Sequence, residues 1–216
     1  MHERQRNQGP TGKTLPKSII KVPPEYWDDL KKMGSEDLCG RSLATPKLPE
    51  GFLIRFLNDD LLIDVENRCL WRLGLDQREK IEYPLLELVI LVYLLNATPD
   101  LLSREMVSAN DLKDAHFFQG PHALKVAPLV ERYGRDLDGF KKASESLGGE
   151  LLDMADAAYK FSPLPKIPLY YLLWEGDDEY KPHLSILFDR SIERHLSADA
   201  IWGLVNLVSN QLLKRG

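Results

Sequence analysis

The sequence predicts a single α+β domain over residues 23–216, an antiparallel β-meander and a C-terminal hairpin packed with a buried central helix and a terminal amphipathic helix. Three observations carry that expectation. Short apolar runs separated by turn residues fill Gly51 to Leu73, an apolar helix of unbroken character follows Pro84, and strands do not alternate with single crossover helices. Links this short permit antiparallel neighbours, whereas parallel crossovers need about a dozen residues or more.

The elements follow in chain order. Pro23 and Pro24 open a short helix, Glu25 to Lys32, with proline and acid at its start, where missing N–H groups and a positive dipole end are tolerated. A second short helix follows Ser35, and Leu43 to Glu50, with Pro46 and Pro49, reads as a loop. The runs Phe52 to Leu57, Leu61 to Val65 and Cys69 to Leu73 read as strands around the turns Asn58-Asp59-Asp60 and Glu66-Asn67-Arg68. Pro84 then suits the first turn of a helix reaching Asn96, whose apolar residues surround the whole circumference and so predict burial. Further helices are expected over Pro121 to Tyr133, stopped by Gly134, and over Leu137 to Leu147, stopped by Gly148-Gly149. Ala158 to Pro163, Pro168 to Trp174 and Leu184 to Asp189 read as strands, the last two a hairpin across Glu175 to His183. Ser197 starts a final helix, where Ile201, Leu204, Val205, Val208 and Leu212 repeat at spacings of three and four.

Composition bounds the function. Of 216 residues, 44% are hydrophobic and 28% charged, ordinary usage for one soluble core. The 28 basic and 33 acidic residues leave a net charge of −5, no overall field for a phosphate backbone, and nucleic acid is excluded as an expected partner. Residues 1–22 have a net charge of +4 and no apolar core of a secretory signal, so they are expected to form a mobile basic tail. The most apolar stretch, Leu85 to Leu95, includes Glu87 and is too short to cross a bilayer, which needs about 20 residues. Cys39 and Cys69, without a CxxC, suit small buried positions in a reducing cytoplasm and can build no four-thiolate centre alone. Neither a cofactor nor a metal is therefore expected.

Motifs narrow the field further. Gly9 to Thr14 ends in Gly-Lys-Thr like a phosphate-cradling loop, but Asn7 stands where the first glycine belongs and Pro16 interrupts the helix that should follow. Asp114-Ala-His116-Phe-Phe-Gln-Gly120 misses by one residue the DxHxxG pattern of cobalamin-binding domains, which belongs in a doubly wound parallel sheet. His122, after Pro121, is expected near a helix N-terminus, where the dipole keeps imidazole neutral and able to ligate. Trp174-Glu175-Gly176-Asp177-Asp178-Glu179-Tyr180 places four carboxylates within five residues beside two aromatics. Adjacent carboxylates point apart and converge poorly on a hard cation, so this loop reads as a solvated acidic turn or as a docking face for a basic, aromatic-seeking segment. Glu87, among Tyr83, Ile90, Leu91 and Leu94, is the one carboxylate expected beside apolar neighbours, a position that suits either a structural hydrogen bond or a general acid. GxSxG, HExxH and GxGxxG patterns are all absent.

From Leu85 onward several runs form an ordered series: Tyr93-Leu94-Leu95-Asn96-Ala97, Asp111 to Phe118, Gly120-Pro121-His122, Leu147-Gly148-Gly149, Pro165-Lys166-Ile167-Pro168, Leu173 to Glu179 and Ile186-Leu187-Phe188-Asp189. In this series the chain resembles an uncharacterised domain-of-unknown-function family of anaerobic bacteria and archaea. Some members look fused to a four-cysteine iron–sulfur module like that of corrinoid iron–sulfur proteins, which implies a setting in corrinoid or one-carbon metabolism. This chain lacks that module.

The resulting expectation is a cytoplasmic accessory protein that recognises a ligand or a protein partner with a basic segment, without nucleic acid or membrane. Its candidate contacts are Trp174, Glu175, Asp177, Asp178 and Glu179 in the hairpin loop, with Asp114, His116 and His122 in a second loop. The alternative is an enzyme with a carboxylate or divalent-metal site built from Glu87 or the Asp177/Asp178 pair. Oligomeric state is not legible.

Overall fold

The computed structural model describes residues 20–215, so the tail expected over residues 1–22 falls almost wholly outside the described residues. At its described end, Ile20 and Val22 pack against the core. The class is α+β, as the order of the elements predicted. Helix α1 (Pro24–Lys32) has Pro24 and Glu25 in its first turn and Lys31 and Lys32 in its last, matching both ends of the dipole, and buries Trp27 and Leu30. α2 (Ser35–Ser42) buries Leu38.

The meander has five strands where three were expected: β1 (Thr45–Lys47), β2 (Gly51–Phe56), β3 (Asp59–Asp64), β4 (Cys69–Leu73) and β5 (Arg78–Ile81), hydrogen-bonded in sequence order. Its inner strands alternate, with Phe52, Ile54 and Phe56 turned inward. The β2–β3 turn is tighter than the Asn58–Asp60 reading: Phe56 pairs with Asp59, and Leu57 takes a left-handed φ of 52°. Asp64 ends β3 and holds the next turn, its carboxylate accepting the Asn67 N–H and side-chain amide at 3.0 and 2.9 Å.

Helix α3 (Pro84–Asn96) has the expected bounds, and Leu85, Leu86 and Val89 to Leu94 are all buried. No helix among the described residues is long and apolar enough to cross a membrane. One expected helix fails. Pro121 to Tyr133 is a 3-10 turn at Gly120–His122, an irregular link, and then α4 (Ala127–Tyr133). Pro128 has no N–H to give the carbonyl four residues back, so helix begun at Pro121 cannot run through it, while the first turn of a new helix accepts it. α5 (Leu137–Ser146) is capped by Asp136, which accepts the Gly139 N–H at 2.9 Å.

The second sheet has the order β6-β10-β9-β8-β7, all antiparallel, from β6 (Met106–Val107), β7 (Glu150–Leu152), β8 (Ala157–Leu164), β9 (Ile167–Trp174) and β10 (His183–Asp189). The expected hairpin is β9–β10, closed by the pair Trp174 and His183. On its inner face Tyr159, Tyr171 and Ile186 form one cross-strand row and Phe161, Leu169 and Phe188 another, all buried. Helix α6 (Ala198–Arg215) packs its stripe of Ile201, Leu204, Val205, Val208 and Leu212 onto this sheet and α3. Gly203 lets the two helices approach closely there, since a Cβ would lie 2.9 Å from a Leu85 methyl of α3 and 3.1 Å from a Val89 methyl. The two sheets meet where the Leu57 N–H donates to the Pro163 carbonyl, 3.1 Å, at the irregularity in β8.

Candidate functional site

The hairpin loop between β9 and β10 is held from within and from behind. The Asp177 carboxylate accepts the Tyr180 and Glu179 N–H groups at 2.6 and 2.8 Å, and these two bonds hold its carboxyl below the usual range. The Asp177 N–H in turn reaches the Tyr180 carbonyl, 2.9 Å. Behind the loop the Gly176 N–H donates to the Gly134 carbonyl at the end of α4, 2.9 Å, and Pro182 lies so close that a Cβ on residue 176 would sit 2.4 Å from its ring. Trp174 stacks on His183, ring centres 5.5 Å apart.

Of the four carboxylates, Asp177 is thus turned into the turn as its organiser. Glu175, Asp178 and Glu179 are exposed, and among the described residues their side chains accept no hydrogen bond. Tyr180 beside them is 71% exposed. No group of three or more His, Cys, Asp or Glu among the described residues is arranged to hold a metal ion.

The sheet adds neighbours that sequence reasoning missed. Antiparallel pairing puts the β7–β8 turn at the same end of the sheet, where Asp156 accepts the Glu175 N–H at 2.8 Å and donates its own N–H to the Leu173 carbonyl, 3.2 Å. The exposed Asp153 and Met154 belong to this turn. The signal was the Asp153-Met154-Ala155-Asp156 run, but only strand pairing places it beside residue 175.

The second expected loop is elsewhere. Asp114, His116 and His122 follow β6, which pairs with the Asp189 end of β10, six residues from the hairpin loop. The second loop packs against the start of α6 and Trp202, not against the hairpin loop. His122 lies in the Gly120–His122 turn, not at the N-terminus of a long helix; it stacks on Phe117 at 4.4 Å and meets Trp202 of α6 edge-on at 5.6 Å. His116 and Asp114 are exposed, Asp114 bordering a cleft of about 90 Å³ at the start of α6. Glu87 accepts the Trp27 indole N–H at 2.8 Å, which ties α3 to α1. A groove of about 510 Å³ runs between Phe56, Tyr83 and Leu86 on one side and Leu207 and Lys214 on the other, and neither Glu87 nor the hairpin carboxylates line it.

Among the described residues, Asp189 is the most heavily bonded carboxylate. It is 1% exposed and accepts Ser103 N–H and Oγ at 2.9 and 2.8 Å, Arg104 N–H at 2.7 Å and Ser191 N–H at 2.9 Å. Burial pushes its carboxyl up, but these donors outweigh it and hold the group at about 2. Its bond to the Ser191 N–H caps the turn that follows β10, whereas its grip on residues 103 and 104 is tertiary and has no local signal.

The chain belongs to the family described as Domain of unknown function (DUF3786), whose model matches residues 36–211. No curated protein and no solved structure matches it.

Proposed function

We propose that this member of the family is a recognition module, and that the hairpin loop of the second sheet receives a basic, aromatic-seeking segment of a partner protein. The observation that supports this reading is the division of labour in the loop. Asp177 and Gly176 fix the backbone, so the loop is presented in one conformation at little entropic cost. Glu175, Asp178 and Glu179, left free on the outside, add negative charge, and Trp174 and Tyr180 add flat apolar surface suited to guanidinium and ammonium groups. The same splay argues against a shared point at which two carboxylates hold a reacting atom or a cation.

The partner's setting rests on the family resemblance alone. Members that look fused to an iron–sulfur module support a setting in anaerobic corrinoid or one-carbon metabolism, in which this chain's two cysteines would leave electron transfer to its partner.

The test is a peptide panel of Lys/Arg segments with and without aromatic residues, titrated against the wild type and the triple variant Glu175→Gln, Asp178→Asn, Glu179→Gln. Three rim charges at about 0.5 kcal/mol each amount to roughly a tenfold loss of affinity, and wild-type binding weakens with salt. Equal affinity of the two proteins for every basic peptide, or stoichiometric Mg²⁺ or Ca²⁺ on the wild-type loop, overturns the proposal.

A further inference from the structure

Ala97, buried at the end of α3, is held by Arg41 of α2 on its carbonyl; from Thr98 to Glu105 the chain then runs to β6 as a strap, exposed along most of its length, with a front and a rear anchor and the Asp100–Arg194 pair between them. At the rear anchor Ser103 and Arg104 bond Asp189, and Glu105 pairs with Arg190 at 2.7 Å. At the front anchor Thr98 donates its N–H to His195 Nδ1, 3.2 Å, while its carbonyl accepts Lys166 Nζ, 2.7 Å. We propose that the front anchor is a proton-operated latch: protonation of His195 loosens Thr98–Leu102 while Ser103–Glu105 stays fastened to Asp189.

The geometry dictates the direction. A backbone N–H can only donate, so Nδ1 of His195 is an unprotonated acceptor and the neutral ring keeps its hydrogen on Nε2. His195 is fully buried, and Nε2 has no partner among the described residues. A second proton has one place to go, Nδ1, where the Thr98 N–H already points; donor then faces donor and the bond is lost.

The surroundings resist the resulting cation from several elements. Lys166 of the β8–β9 turn and Arg194 of the histidine's own turn oppose it, Asp100 of the strap and Asp189 of β10 favour it, and the Tyr93 ring of α3 lies 6.5 Å away, its hydroxyl bonded to the Ser42 carbonyl. Asp100 is itself shared with Arg194 at 3.2 Å and Thr98 Oγ1 at 3.1 Å. Burial first, and Lys166 next, push the His195 value below its ordinary 6.5. A histidine depressed in the closed form stabilises that form fully above 6.5 and progressively less below it, by up to tenfold per pH unit until the closed-state value is reached. Asp189, at about 2, keeps the rear anchor through the same range.

Three amides report on the two anchors: Thr98 for the front, Ser103 and Arg104 for the rear. Their hydrogen exchange is followed by NMR on the full chain, corrected for the intrinsic pH dependence of exchange, from about pH 8 to about pH 5. Between about pH 6.5 and 5 the protection of Thr98 falls by up to about 30-fold while Ser103 and Arg104 keep theirs. In His195→Asn, whose side-chain oxygen accepts the Thr98 N–H without titrating, that pH dependence disappears. Nitrogen shifts of the wild-type imidazole give the tautomer and its titration directly, so the test stands even if the variant does not fold. A pH-independent Thr98 amide, joint loss of all three amides, Nδ1 carrying the hydrogen in the neutral ring, or titration at or above 6.5 would each refute the latch.

Discussion

Replacing Asp189 by Asn keeps the shape of the side chain and removes its charge at the point where four donors converge. Oδ1 takes the Ser103 N–H, the Ser103 hydroxyl and the Ser191 N–H, and Oδ2 takes the Arg104 N–H at 2.7 Å. The best placement of the amide keeps its oxygen on the first three and turns its NH₂ toward the Arg104 N–H, donor against donor. The charge contributes through the drop from an ordinary 3.8 to about 2, which at about 1.4 kcal/mol per unit amounts to about 2 kcal/mol. Stranding the Arg104 N–H adds about 1 kcal/mol, for a total of about 3 kcal/mol at neutral pH and a melting temperature lowered by roughly 6–12 °C. The pH dependence fixes the sign. A carboxylate depressed on folding stabilises fully above its unfolded value and loses that stabilisation as pH falls toward its folded one, so the gap between wild type and Asp189→Asn narrows between about pH 4 and pH 2. Denaturant unfolding of both proteins at neutral and acid pH measures it. A gap under about 1 kcal/mol at neutral pH, or one unchanged in acid, refutes the reasoning.

Asp177→Ala lowers the melting temperature and loosens the hairpin loop by hydrogen exchange, because it frees the Glu179 and Tyr180 N–H groups; Asp178→Ala does neither. Gly176→Ala drives a methyl into the Pro182 ring, displaces the loop from Gly134 and destabilises the protein by about 1–3 kcal/mol in denaturant unfolding. In alkylation kinetics on the native protein, half-buried Cys39 reacts well before Cys69, whose thiol burial shields and pushes up. With two thiols and no four-cysteine set, the purified protein is expected to be colourless, and stoichiometric iron would contradict that.

Elements with a strong period were legible in the sequence. The all-apolar circumference of Pro84–Asn96, the stripe on the last helix and the alternation in β2 each record burial, which is what periodicity reports. The unread strands are those that bury little. Thr45–Lys47 is exposed throughout, Arg78–Ile81 is almost so, and Met106–Val107 and Glu150–Leu152 are sheet edges of two and three residues, so no alternation is imposed on them. The long helix expected from Pro121 failed because Pro128 was passed over. At the candidate site the acidic run and its aromatics were visible as residues, but the adjacency of Asp156, like the anchoring of Thr98 by His195 elsewhere, arises from pairings between distant segments, and the local turn that Asp177 organises has no distinguishing pattern among four neighbouring carboxylates.

The burial of α3 has a consequence for biosynthesis. The meander ahead of it joins strands that are neighbours in sequence and can pair as soon as they leave the ribosome. The helix that follows is apolar on every side, yet its main cover, α6, begins at Ala198, about 100 residues later. At roughly 5–20 residues per second, a nascent chain holds that greasy cylinder without its α6 cover, packed only by elements made before it such as α1, for about 5–20 seconds. Chains stalled or truncated in that interval are therefore the form of this protein most prone to aggregate and most dependent on chaperones.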